Sequence, residues 1–330
     1  MNKFALPFLI AALGTIDLSN TQLVRSQESL QVVSNNSDTL LSTAKDQYGK
    51  GNYKQAIDLA SQAIKANANN VNAFYYRGIS RLALQRKSFQ IKSLRLIHQD
   101  LSRVIELDPS NRDAHYYYGL ASYKIFLSHT GSSFISVGYS EPDLHRTKWY
   151  RDESGDYWNN FQSDVVEQAN NSFKKYVEDN STALNESYLH YADSQIIHIG
   201  YGSIENIKLT LEKVKDKDTN PDVYFLRGMA YYQKYVRSSD NEVKKIQEGL
   251  ENFNKSIELR PNSPDAYFFR AKMYVKLNNI QNAIEDYTQV IKLLPQEAAA
   301  YEQRSEVYKL IGDTESAVRD ERKADMLKQR

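Results

Sequence analysis

The chain has 330 residues, no cysteine, 25% charged residues and a formal net charge of +1. The lack of cysteine excludes disulfides, thiolate catalysis and cysteine-ligated metal, and the balanced charge leaves no sequence-wide field to recruit nucleic acid or acidic lipid. With 13 glycines and 7 prolines the chain is too poor in turn formers for an all-β or low-complexity protein, whereas its 24 tyrosines are unusually many.

At the N-terminus Lys3 precedes an apolar stretch from Phe4 to Leu13, and Ala12-Leu13-Gly14 sets small residues where a secretory cleavage site needs them. So short a stretch cannot span a bilayer as a helix, so no stable membrane insertion is expected. Residues 1–14 read as a signal peptide, which would export the protein to a secreted, periplasmic or lumenal location. The other reading, which Pro7 favours, is an apolar segment packed on the first helical unit of a cytoplasmic protein. Residues 15–36 are polar, without a helical stripe, and read as a linker.

From residue 37 onward the chain divides into seven similar units. In the first, 37–70, Tyr48 ends one helix, Gly49-Lys50-Gly51-Asn52 turns the chain, and Ala56, Ala60 and Ala63 line a second helix that can approach its partner closely. The second, 71–111, carries extra residues around Arg86 to Leu94. The third, 112–184, shows Tyr117 and Gly119, is interrupted by a long insertion, 128–163, and resumes at Ala169, Phe173 and Tyr176. The fourth, 185–220, is the most degenerate. The fifth, 221–263, has extra residues around Ser238 to Lys245. The sixth, 264–297, is the cleanest, with Tyr267, Ala271, Tyr274, Ala283, Tyr287, Val290 and Pro295. The seventh, 298–330, puts Glu321 where the sixth has Tyr287, and a polar outer face of this kind is expected to end the stack.

One phrase returns with changed letters: Tyr75-Tyr76-Arg77-Gly78, Phe225-Leu226-Arg227-Gly228, Phe268-Phe269-Arg270-Ala271 and Glu302-Gln303-Arg304-Ser305. Its period of about 34 residues, with the aromatic, small-residue and proline pattern, resembles the tetratricopeptide repeat, a helix-turn-helix unit that stacks on its neighbours. The resemblance covers residues 37–330 and implies an all-α, right-handed superhelical solenoid of about seven units that binds a protein or peptide partner without catalysis.

Three kinds of side chain stand out within this frame. Arg77, Arg270 and Arg304 on first helices face Asp100, Asp286 and Asp320 at matching places on the second helices, so intra-unit pairs Arg77–Asp100, Arg270–Asp286 and Arg304–Asp320 are predicted as structural rather than ligand-reading contacts. The fifth unit offers Arg227 but Asn252. On the first helices the spacing i, i+3, i+7 aligns Tyr75 with Ile79; Tyr116 with Leu120 and Tyr123; and Phe225 with Met229 and Tyr232, with Phe268 at the same place in the sixth unit. The resemblance implies that this face lines a concave peptide groove; the alternative is that the aromatics pack within their own units. The lysines and asparagines with which some members of the family clamp a chaperone's C-terminal carboxylate are absent, since Leu41, Lys45, Tyr76 and Ile79 stand at those places.

The insertion 128–163 holds Trp149, Tyr150, Tyr157 and Trp158, and its aromatic content argues for a folded flap or a binding arm. No His-x-x-x-His, phosphate loop or nucleophile motif occurs, so neither metal, cofactor nor enzymatic activity is expected. A self-associating assembly factor, and a module whose insertion binds a glycan, metal or substrate, remain as alternatives to the scaffold.

Overall fold

The computed structural model describes residues 36–85, 91–130, 160–178, 180, 182–199, 203–236 and 242–329. The expected signal peptide, nearly all of the linker, and Trp149, Tyr150, Tyr157 and Trp158 lie outside the described residues. Among the described residues every regular element is helical, and they belong to two compact units, 1–80 and 81–330.

The first unit contains α1 (36–49), α2 (Tyr53–Ala66) and the part of α3 (Val71–Leu84) that ends at Ser80. Gly51 adopts φ 79, a left-handed conformation that a Cβ would strain, and so turns α1 into α2. Ala56, Ala60 and Ala63 are fully buried on one stripe of α2. Ala63 meets Leu41 and Ala73 in a small core flanked by Leu40, Ile64 and Tyr76. Polar ties seal it: Ser37 Oγ donates to the Ala63 carbonyl at 2.9 Å, and Asn70 Nδ2 donates to Ser37 Oγ at 2.9 Å. The Asn70 side chain also accepts from the Ala73 N–H at 3.1 Å, capping α3.

The second unit runs through α4 (Ile91–Leu107), α5 (Arg112–Thr130), α6 (Asn160–Val177), α7 (Asn185–Ile199), α8 (Ile204–Leu211), α9 (Pro221–Tyr231), a π-helical turn (Tyr232–Val236), α10 (Val243–Leu259), α11 (Pro264–Lys276), α12 (Ile280–Leu293), α13 (Ala298–Leu310) and α14 (Thr314–Lys328). Each helix packs on the next, and α5 also touches the following first helix α7, as α7 touches α9. This is the contact pattern of a stacked array.

Apolar stripes drive the stacking. Leu94, Ile97, Leu101 and Val104 of α4 are fully buried at spacings of three and four residues, and Ile246 and Phe253 of α10 and Ala283 and Val290 of α12 are fully buried at spacings of seven. Each large apolar side chain buried in this way contributes about 1.5–3 kcal/mol. The small residue of the recurring phrase sets how near the helices come. A Cβ added at Gly228 of α9 would lie 2.8 Å from Phe253 Cδ1 of α10, and one added at Gly119 of α5 would lie 3.0 Å from Phe173 Cε1 of α6. Pro221 and Pro264 occupy the first residue of their helices, where a missing N–H costs nothing.

Candidate protein-binding interface

In the second unit the first-helix row is filled by Asp222, Phe225 and Met229 on α9 and by Tyr232 on the π-helical turn that follows it. Its equivalents are Asp265, Phe268, Lys272 and Val275 on α11, then Ala299, Glu302, Glu306 and Lys309 on α13. Phe225, Met229, Tyr232 and Phe268 are buried. Phe225 packs on Phe253 at 5.9 Å and Phe269 at 6.2 Å between ring centroids, Tyr232 on Phe269 at 5.0 Å, and Phe268 on Tyr287 at 5.5 Å. These rings join first helices to each other and to their second helices. Ile79, in the first unit, is likewise buried, whereas Tyr75, Tyr116 and Leu120 keep partial exposure.

The accessible positions of the row are mostly charged, Lys272, Glu302, Glu306 and Lys309, beside the apolar Val275 and Ala299. Lys272 Nζ lies 5.0 Å over the Phe268 ring. Lys309 bridges Glu306 at 2.9 Å and Glu321 at 2.5 Å, and Glu302 pairs with Lys328. Apolar support below and charge above is an arrangement suited to reading a polypeptide by its side chains.

Two rungs tie α5 to α7. Tyr116 Oη lies 3.4 Å from His190 Nδ1, whose ring stacks on Phe173 at 5.6 Å. About two helical turns further along α5, Tyr123 Oη donates to Asp193 Oδ2. Burial pushes the Asp193 carboxyl up to about 8 and lifts Tyr123 further still, while burial and then Lys124 lower His190 to about 3. Asp193 Oδ1 and the neighbouring Ser122 Oγ are buried without a hydrogen-bond partner among the described residues. Tyr116 and Tyr123, which align on one face in the sequence, are therefore engaged in helix-to-helix contact.

The arginines form a separate system. Arg270 grips Asp286 through Nε to Oδ2 at 2.8 Å and Nη2 to Oδ1 at 2.6 Å; Arg304 grips Asp320 in the same way at 2.7 and 2.9 Å. Each also reaches back to the preceding second helix, Arg270 to Asn254 Oδ1 at 2.8 Å and Arg304 to Thr288 Oγ1 at 2.9 Å. Tyr267 and Tyr274 flank the Arg270 guanidinium, as Tyr301 and Tyr308 flank that of Arg304. The pairing expected for the sixth and seventh units is thus present. Arg77 and Asp100 fall in different compact units; within its own unit Arg77 donates to Ser61 Oγ at 3.5 Å, and Asp100 accepts from Arg81. Arg227 turns to Glu212 of the preceding unit at 2.6 Å. A further pair not foreseen from sequence joins Arg260 to Asp222 at 2.6 and 3.0 Å.

Among the described residues no group of three His, Asp or Glu side chains could hold a metal ion. Nor is any helix among them long and apolar enough to cross a membrane.

Comparison with known proteins bears on this architecture. Residues 264–297 and residues 41–88 each match a family model described as a tetratricopeptide repeat. Comparison with curated proteins gives no match. Among solved structures, a tetratricopeptide repeat protein from Parabacteroides merdae is 13% identical, with 89% of this chain and 93% of that one covered at a TM-score of 0.55. The C-terminal part of a TPR repeat-containing protein from Cytophaga hutchinsonii is 17% identical, with 87% and 92% covered at 0.49. A structure of MamA is 21% identical, with 50% and 90% covered at 0.41. The likeness to the Parabacteroides protein concerns the fold alone and agrees with the stacked helix pairs. The two matched segments and the helix-pair packing lead to one assignment: the chain carries tetratricopeptide repeats, at residues 41–88 and 264–297, within an all-helical stacked array.

Proposed function

We propose that the protein is a non-catalytic scaffold that holds a peptide or protein segment along the first-helix face of α9, α11 and α13. The observation that carries this reading is the row itself: equivalent positions on successive first helices form a repeating surface whose accessible members are Lys272, Val275, Glu302, Glu306 and Lys309. Phe225, Met229 and Phe268 keep that surface rigid from beneath, and a preformed surface lowers the ordering cost of binding. A partner with alternating acidic and basic side chains would match it.

The test is affinity capture with the wild type beside Lys272→Glu and Glu306→Lys, each checked for helix content. These positions are accessible, so folding is left intact, whereas Phe225→Ala would remove a buried ring at about 3–5 kcal/mol and confuse folding with binding. Loss of one protein from both charge-reversed captures is expected; identical recovery from all three would overturn the reading. Export through residues 1–14 belongs to the same proposal, and an N-terminus starting near residue 15 in protein from the native host is its expected outcome, an intact Met1 its refutation.

A further inference from the structure

A cavity of about 360 Å³ opens where the start of α8, the end of α9 and the start of α10 meet. It lies away from the accessible row on α11 and α13, and its walls are rich in hydrogen-bond donors. Lys234 and Lys245 bring two ammonium groups, and Ser203 brings a hydroxyl that makes no capping bond to its own helix. Tyr231 and Tyr235 form a stacked pair, with centroids 6.3 Å apart and planes at 26°, that makes the apolar floor.

The backbone explains why these groups converge. After Tyr231 the helix loosens into the π-helical turn Tyr232–Val236. A turn of this kind inserts a residue into the helical register and is found often at functional sites. Here it carries Lys234 and Tyr235 past the end of the regular helix to the cavity wall.

The charges on the wall are unequally committed. Lys245 donates to both oxygens of Glu248 at 3.1 and 3.2 Å, and Tyr231 Oη donates to the same carboxylate at 2.8 Å, so Glu248 is neutralised behind the floor. Glu205, the one carboxylate on the wall, pairs with Lys208 at 3.2 Å. Lys234 has only a ring contact, 5.5 Å over Tyr235, and no ion-pair partner among the described residues. An ammonium held over a tyrosine ring in a cavity that a serine also lines, with the nearby carboxylates already paired, calls for an added acceptor.

We infer that this cavity is a binding site for a carboxylate presented by a polypeptide, an acidic side chain or a chain terminus, with Lys234 as its counter-charge and the Tyr231–Tyr235 pair beneath the aliphatic stem. The carboxylate's source rests on the scaffold reading; its recognition does not.

The experiment is calorimetric titration of the full chain at low salt with hexaglutamate, hexalysine and inorganic phosphate as probes, on the wild type, Lys234→Met and Lys292→Met. Lys292 is exposed on α12, remote in sequence from the cavity walls, and controls for net charge. Hexaglutamate is expected to bind the wild type and Lys292→Met alike and Lys234→Met about tenfold more weakly, the loss expected for one charge-assisted hydrogen bond. Equal weakening in both variants, no binding of hexaglutamate, or equal binding of hexalysine overturns the site. Lys234-dependent binding of phosphate alone overturns the polypeptide source. Capture of a partner through Lys272 and Glu306, together with hexaglutamate binding that ignores Lys234, would overturn the cavity and leave the scaffold standing. Lys234-dependent hexaglutamate binding without any Lys272-dependent partner would do the reverse.

Discussion

Arg270 and Asp286 are joined by two parallel hydrogen bonds of 2.8 and 2.6 Å across the α11–α12 helix pair, with the carboxylate only 6% exposed and the guanidinium 18%. Burial lifts the Asp286 carboxyl despite the arginine beside it, so the pair is held in a site that penalises a lone charge. Arg270→Ala is expected to cost about 3 kcal/mol, because Asp286 would stay buried without its partner. Arg270→Met combined with Asp286→Leu should cost much less than the single change. Urea denaturation of the two variants checks both expectations, and a single variant as stable as the wild type would contradict them.

The Tyr123–Asp193 rung gives a stability that depends on pH. Asp193 rises from its ordinary 3.8 to about 8 in the fold, so the folded state holds a proton that the unfolded state releases. The resulting stabilisation is complete below about pH 4 and is lost as pH rises through 8. Denaturation midpoints measured between pH 5 and 9 should fall less steeply in Asp193→Asn than in the wild type. Parallel curves would show that the carboxyl is ionised in the fold.

Gly228→Ala tests the close approach of α9 to α10. The new methyl would meet the Phe253 ring at 2.8 Å, and the ring is fully buried with little room to turn. A loss of about 1–3 kcal/mol is expected from overpacking. Gly228→Ala with Phe253→Leu should recover part of it, which thermal unfolding would detect.

Glu297 precedes α13 and accepts from the Ala299 N–H at 3.4 Å. Burial, and after it Asp265 and Glu302, raise its carboxyl from 4.5 to about 7. Stability from this group is therefore full below about pH 4.5 and lost as pH rises through 7. Glu297→Gln keeps the acceptor without the charge and should make the protein relatively more stable at pH 8 than at pH 5. Equal change at both values would contradict this.

The Arg270–Asp286 and Arg304–Asp320 pairs were legible because each spans only 16 residues within a regular unit, where helix period and turn length settle which side chains face each other. Where extra residues enter the unit, that arithmetic fails. In the fifth unit Arg227 finds Glu212, 15 residues earlier. The Tyr123–Asp193 rung links residues 70 apart across the long insertion, and no local spacing announces it. Periodicity also sets Phe225 and Met229 on one helix face but says nothing of depth; the neighbouring Phe253 and Phe269 decide that. The cavity arises from the π-helical turn, which has no sequence signature comparable to a proline or glycine.

Arg270 bonds Asn254 and Asp286, each 16 residues away, and Arg304 repeats the stitch on Thr288 and Asp320. A length of chain duplicated from 264 to 297 would bring a complete set of fasteners with it, and both of its ends would meet the chemistry they already meet. One residue added inside α11 or α12 would instead rotate everything beyond it by about 100° and leave the arginine facing the wrong side. This stretch of the molecule can be lengthened by whole modules and scarcely at all by single residues.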